Sequence, residues 1–224
     1  MKNYDDYYYD DSLPKIQNNP LKVMEIDGKK IIDFYLINEI EDIADYIDFL
    51  RAIDSCTNED TIVIHINNYG GSADVGLNIY DCLKCSSANV IISIEGICAS
   101  CASIIMLSGD SWKVKEHAYV MVHCWSGELW GKWHEIESKF EFSKEWRERK
   151  FKEVYKNFLT DKEIEDCLNG KDFYFDAEET VKRLNNYQKE DVDKQNKIAE
   201  INEKFLKLRD KEVENFLKKL EKKK

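Results

Sequence analysis

A chain of 224 residues, 43% of them hydrophobic, suits one cored domain with an appendage and is too short for several. Its net charge of −11 argues against a general nucleic-acid backbone binder. No apolar run reaches the ~20 residues that cross a bilayer, and the acidic, aromatic opening MKNYDDYYYDDS does not read as a secretory signal.

Seven cysteines, an odd number without an export signal, point to reduced thiols and a cytoplasmic location. Cys82/Cys85 and Cys98/Cys101 have the spacing of a zinc ribbon. Neither pair has a Gly/Lys-rich knuckle turn, so small buried hydrophobes are the expected role and no metal site is expected.

Residues 1–20 read as a flexible arm. Val23–Ile37 holds two β-rich runs about an Asp27-Gly28 turn. From Asn38, the apolar residues Ile40, Ile43, Ala44, Ile47, Leu50 and Ile53 recur at helical steps and predict an amphipathic helix. After a polar turn at Thr57–Asp60, the β-branched run Thr61–Ile66 predicts a buried strand. That strand ends in Asn67-Asn68-Tyr69-Gly70-Gly71-Ser72, where paired glycines permit backbone conformations that a side chain would block. A helix with Val75, Ile79, Cys82 and Leu83 on one face follows.

Val90–Ile94 predicts a second buried strand, broken at Glu95-Gly96. Small residues surround Ser100, and Ile104–Leu107 continues as a buried helix. Ala118–His123 is a third strand, so the middle of the chain reads β-α-β-α-β with parallel pairing. The segment 130–159 predicts a long helix carrying Trp130, Trp133, Phe140, Phe142 and Trp146, more aromatic surface than a small core needs. Self-association is the natural inference. Thr160 and Asp176 have the form of helix caps, with Asp172–Phe175 extended between them. The charged stretch 185–224 predicts a helical extension, with Ile198, Ile201, Phe205 and Leu208 at helical steps.

Ser100 stands at a strand-to-helix turn, where it serves either as a cap or as a nucleophile beside free helix N–H groups. A serine hydrolase needs a histidine as base. His65, His117, His123 and His134 are the choices. His123 leads, because it ends the strand after the serine helix, where parallel α/β folds gather functional groups.

Three motifs in order carry a resemblance. They are Ile66-Asn67-Asn68-Tyr69-Gly70-Gly71 with Gly76-Leu77-Asn78-Ile79-Tyr80-Asp81, then Gly96-Ile97-Cys98-Ala99-Ser100-Cys101-Ala102-Ser103, then Met121-Val122-His123. Together they resemble the Clp protease proteolytic subunits, the ClpP family of serine peptidases, in a divergent form similar to those of bacteriophages. The resemblance spans residues 23–184. It implies an α/β, crotonase-like fold with a handle helix over 130–159, giving an arm (1–20), a peptidase domain (21–184) and a charged extension (185–224).

The same resemblance implies Ser100 as nucleophile, His123 as general base, and the N–H groups of Gly71 and Cys101 as oxyanion hole. Gly70 and Ser72 would help hold an extended peptide. Asp172 is the implied third triad member, with Asn169 and Asp166 as rivals. Family members form heptameric rings, often stacked around a chamber. A hexameric ATPase unfolds polypeptide substrates for them, and the subunit needs no cofactor. Asn68-Tyr69 replaces the family's Ser-Pro, and Cys124-Trp125 its Gln-Pro. These departures keep a second expectation open: a catalytically impaired paralogue that assembles with or modulates a host protease.

Overall fold

The computed structural model describes residues 20–127 and 130–187. One seven-stranded sheet organises them. Strands β1 (Leu21–Ile26) and β2 (Lys29–Leu36) form an antiparallel hairpin. Its two-residue turn, Asp27 and Gly28, has positive φ at both positions, 53° and 77°, the twist that suits a tight hairpin. Strands β3 (Thr61–Asn68) and β4 (Asn89–Ala99) continue the sheet in parallel. Alternate residues along each strand point inward, so Ile62, Ile64 and Ile66 are fully buried beside Ile92 and Ile94.

β4 is long enough to serve two neighbours. Its first half pairs with β5 (Ser111–Val114) and its second half with β6 (Tyr119–Val122), both parallel. β7 (Phe173–Asp176) closes the far edge antiparallel to β6. The order is β1-β2-β3-β4-β6-β7, with β5 beside β4.

Helix α1 (Ile47–Asp54) follows a 3-10 turn at Ile43–Tyr46. Helix α2 (Ala73–Cys85) links β3 to β4, and α3 (Cys101–Met106) links β4 to β5. All six residues of α3 are buried, which is why the run around Ser100 carries no polar face. Helix α4 (Trp133–Tyr155) buries only Phe151, Val154 and Tyr155 at its C-terminal end. Helix α5 (Asp161–Leu168) begins at the predicted Thr160 cap, whose hydroxyl accepts from the Glu163 N–H while Glu163 reaches back to Thr160. Helix α6 is described over 177–187. Asp176 caps it by accepting from the Glu179 N–H.

Three expectations are corrected. Cys82 and Cys85, expected to be buried, stand half-buried and exposed near the C-terminal end of α2, where the helix turns that side away from the core. The helix expected from Asn38 starts at Ile47, after the 3-10 turn. Ile40 instead extends alongside Gly71, donating to Gly70 O and accepting from Ser72 N–H. Its apolar side chain fits a helical pattern, but its backbone is used to hold the glycine turn. The break expected at Glu95-Gly96 is absent, since β4 runs through to Ala99. There the β3–β4 register shifts between Ile66 and Asn68, and the Asn67 carboxamide accepts from the Ile97 N–H at 3.0 Å. The glycine leaves room for that side chain: a Cβ on Gly96 would lie 2.8 Å from Asn67 Oδ1. The arm expected before residue 20 and the helix expected over 188–224 lie outside the described residues.

Candidate active site

Ser100 sits between β4 and α3 with φ 55° and ψ −129°, a conformation that side chains other than glycine rarely adopt. Its N–H is held by Met121 O on the neighbouring strand. Its carbonyl accepts from the Ser103 hydroxyl at 2.6 Å. Ser103 Oγ is itself 2.6 Å from the buried Tyr155 hydroxyl. With the serine proton directed to Ser100 O, Tyr155 is the donor of that second bond. The sharp turn is therefore pinned on both sides, by β6 and by the end of α4.

The side chain of Ser100 makes no capping bond to α3. Its Oγ lies 2.7 Å from His123 Nε2. His123 follows β6 directly, and the pairing of Ala99 with Met121 sets the two residues at the same sheet end. In the tautomer with its proton on Nδ1, the ring accepts the Ser100 proton at Nε2.

Close approach of the glycine turn explains its composition. A Cβ on Gly70 would lie 2.6 Å from Ser100 Cβ and 2.9 Å from Ala99 O. A Cβ on Gly71 would collide with the Ile40 carbonyl. Because Gly70 O and Ser72 N–H make the bonds to Ile40, the Gly71 N–H stays outside that ladder. Cys101 is the first residue of α3, so its N–H has no intrahelical acceptor. Ser72 caps α2, its hydroxyl accepting from the Val75 N–H.

Asp172 is exposed in the loop before β7 and makes no hydrogen bond to His123. The strand register nevertheless brings it near. Val122 pairs with Phe173 in the antiparallel β6–β7 ladder, so one further step sets Asp172 across from His123. Its charge is felt locally, adding to the burial that pushes the Cys167 thiol up to about 12. Of the rivals, Asp166 holds Lys171 at 3.3 Å and Asn169 ends α5.

The other histidines stand elsewhere. His117 and His134 are exposed. His65 lies between two carboxylates, with Nε2 2.9 Å from Asp33 and Nδ1 2.8 Å from Glu95, and Tyr35 stacks on its ring. Burial pushes the Glu95 carboxyl up, but hydrogen bonds from Ser93 and His65 and the charge of Lys115 outweigh it and hold the group below its ordinary range. This polar cluster on β2, β3 and β4 went unread in the sequence. Its signal was the two-residue alternation that puts Asp33, His65 and Glu95 on one sheet face.

Cys98 and Cys101 flank Ser100 from within the core. Burial pushes the Cys101 thiol up to about 12, so it stays protonated and packs as a small apolar group. Among the described residues no three His, Cys, Asp or Glu side chains converge as metal ligands.

Ser100 and His123 open onto a cleft of about 500 Å³, lined also by Gly71, Ser72, Trp125 and Trp146. The family model for Clp protease matches residues 23–183. The chain belongs to the Clp protease family.

This Clp protease family chain is 36% identical over 90 residues to an ATP-dependent Clp protease proteolytic subunit of Bacteroides fragilis, which is 39% of the chain and 44% of that protein. A subunit of the same name from Bigelowiella natans is 32% identical over 79 residues, 34% of the chain and 40% of that protein. Proteolytic subunit 2 of Prochlorococcus marinus is 33% identical over 73 residues, 32% of the chain and 36% of that protein. The matched stretch thus spans less than half the length of these curated relatives. In this member of the Clp protease family, β4, the serine turn and α3 all fall within the residues the family model matches.

Proposed function

We propose that this chain is a serine endopeptidase subunit that hydrolyses peptide bonds of unfolded polypeptides. The observation that carries the proposal is the 2.7 Å contact between Ser100 Oγ and His123 Nε2 at a strained strand-to-helix turn. A serine that merely capped α3 would bond to the helix N–H groups, and this one does not.

In the proposed reaction Ser100 Oγ attacks the scissile carbonyl while its proton passes to His123 Nε2. The tetrahedral oxyanion is met by the N–H groups of Gly71 and Cys101, each such donor contributing ~10²–10³ in rate. His123 then gives its proton to the leaving amine. Water enters, gives a proton to His123 and attacks the acyl carbonyl, and His123 passes that proton to Ser100 Oγ as the acyl group leaves. Asp172, opposite His123 in the β6–β7 register, turns its carboxylate to the Nδ1–H and fixes the tautomer. Ser72 lines the cleft next to Gly71, and Gly70 and Ser72 shape the peptide's path rather than bond to it, since their backbone groups are already held by Ile40, Asn68 and Gly76.

Assembly into rings around a chamber, in the cytoplasm and served by an ATPase, belongs to the same proposal. The relatives' name, ATP-dependent Clp protease proteolytic subunit, supports it, as do the exposed aromatics of α4.

Fluorophosphonate labelling read by intact mass tests the chemistry. We expect one adduct per chain in the wild type and none in Ser100→Ala. His123→Ala and Asp172→Asn should slow labelling by about 10²-fold or more. A folded wild-type protein that takes no label would sink the hydrolase reading. Labelling unchanged in Asp172→Asn would keep the serine and histidine but remove Asp172 from the triad.

A further inference from the structure

Among the described residues, the cleft beside Ser100 holds a cation with no anion paired to it. Arg147 of α4 is half-buried and lines the cleft together with Ser100 and His123. Its Nε donates to Ser143 O and its Nη1 to Trp125 O, both at 3.1 Å. Both acceptors are neutral carbonyls. Among the described residues the guanidinium makes no ion pair, and Nη2 donates to no protein group. The bond to Trp125 O also fixes where the charge sits, since Trp125 follows the catalytic histidine by two residues.

The surrounding wall is aromatic: Trp125, Phe140, Phe142 and Trp146. Trp125 packs against Trp146 and Phe151, with ring centroids 5.8 Å and 6.2 Å apart. Such walls exclude water and strengthen the field of a nearby charge. The Trp125 indole N–H is buried and has no acceptor among the described residues. It is shielded from solvent, so it adds positive potential to the wall rather than a contact point. Asp74 also lines the cleft, from the first turn of α2, but it is exposed and its charge is screened.

We propose that Arg147 selects an acidic side chain, Glu or Asp, on the peptide held in this cleft. This rests on the peptidase reading of the same site. The free Nη2 and the remaining Nη1 hydrogen form a fork that matches a carboxylate, and charge-assisted bonds of this kind are the strong ones. An apolar side chain fits the aromatic wall but leaves the half-buried cation without a partner. Glutamine keeps the shape of glutamate and lacks its charge, so the two together isolate the electrostatic part.

The test is peptide binding to full-length Ser100→Ala protein, followed by tryptophan fluorescence. The probes are capped alanine pentapeptides with Glu, Gln, Leu or Lys at the central position. We expect Glu to bind about tenfold more tightly than Gln. Adding Arg147→Gln should abolish that difference, Arg147→Lys should keep part of it, and Arg147→Glu should turn the preference to Lys. Equal affinity for Glu and Gln would overturn the proposal. So would a Glu preference that survives Arg147→Gln, or no measurable binding of any peptide. Fluorophosphonate labelling of the wild type separates the two claims. Labelling without a Glu preference retires the role of Arg147 alone. A Glu preference without labelling retires the hydrolase reading and leaves the acidic-peptide cleft standing.

Discussion

The nucleophilic role proposed for Ser100 rests on its backbone as much as on its hydroxyl. A serine at φ 55° projects its side chain away from the α3 N–H groups and toward His123, so the strain is what separates nucleophile from cap. Gly70 makes that turn possible. Gly70→Ala would force a Cβ to within 2.6 Å of Ser100 Cβ, at φ +106°. We expect it to cost about 1–3 kcal/mol of stability and to abolish fluorophosphonate labelling, with urea unfolding and intact mass as the two readouts. Retained labelling would show that the turn relaxes without moving Ser100. The Tyr155 hydroxyl supports the same turn from below through Ser103. Tyr155→Phe should cost about 1 kcal/mol, seen as a lower urea midpoint at unchanged slope; an unchanged midpoint would mean that Ser103 finds another donor.

At the scale of elements, the α5–α6 pairing depends on one arginine. Arg183 donates to both Glu163 oxygens at 2.8 and 2.9 Å, to Glu179 at 2.8 Å and to Phe158 O at 2.9 Å, and lies over the Phe175 ring at 4.2 Å. It thereby ties α5 and α6 to β7 and to the turn after α4. The Arg183 hydrogen bonds lead in holding the Glu163 carboxyl down at about 2, against the opposing effect of burial, and the Thr160 bonds add to them. Because the folded carboxyl is depressed from 4.5, its contribution is complete above the ordinary carboxyl range. It drains away as pH falls from 4.5 toward about 2. Glu163→Gln should therefore be less stable than the wild type at neutral pH, and the gap should close through that window. A gap that is constant from pH 7 to pH 3 would contradict this account. The β6–β7 ladder matters at the same scale, because loss of its antiparallel register would carry Asp172 away from His123.

Across the whole molecule, α4 is the long helix that the domain leaves mostly exposed. Trp133, its first residue, and Trp130, just before it, are each 81% exposed, while its far end is packed into the core. Large apolar side chains left in water favour a partner surface, and a second copy of the chain is the proposed one. If that self-association forms, we expect Trp133→Glu to lower the sedimentation coefficient relative to the wild type while leaving the circular dichroism intact. An unchanged coefficient would put the assembly contact elsewhere.

Periodicity alone determined the buried strands at Thr61–Ile66 and Val90–Ile94, the α2 helix and the Thr160 cap, because each is a local pattern of side chains. The motif order around Gly70, Ser100 and His123 was also legible, since chemistry at a turn restricts which residues fit there. The tertiary structure decided what depends on pairing across distance. Ile40 looked helical and became the strap on Gly71, because a backbone bond to a remote segment outweighs a weak local preference. Glu95-Gly96 looked like a break and became the middle of β4, because the Asn67 side chain fills the shifted register. His65 and Arg147 meet their partners only in the fold: the first through sheet alternation, the second through a helix laid beside the Trp125 segment. The sequence determined which residues could do the chemistry. The packing of β4, β6 and α4 decided which of them meet, because contacts between residues 22 to 52 positions apart leave no periodic trace along the chain.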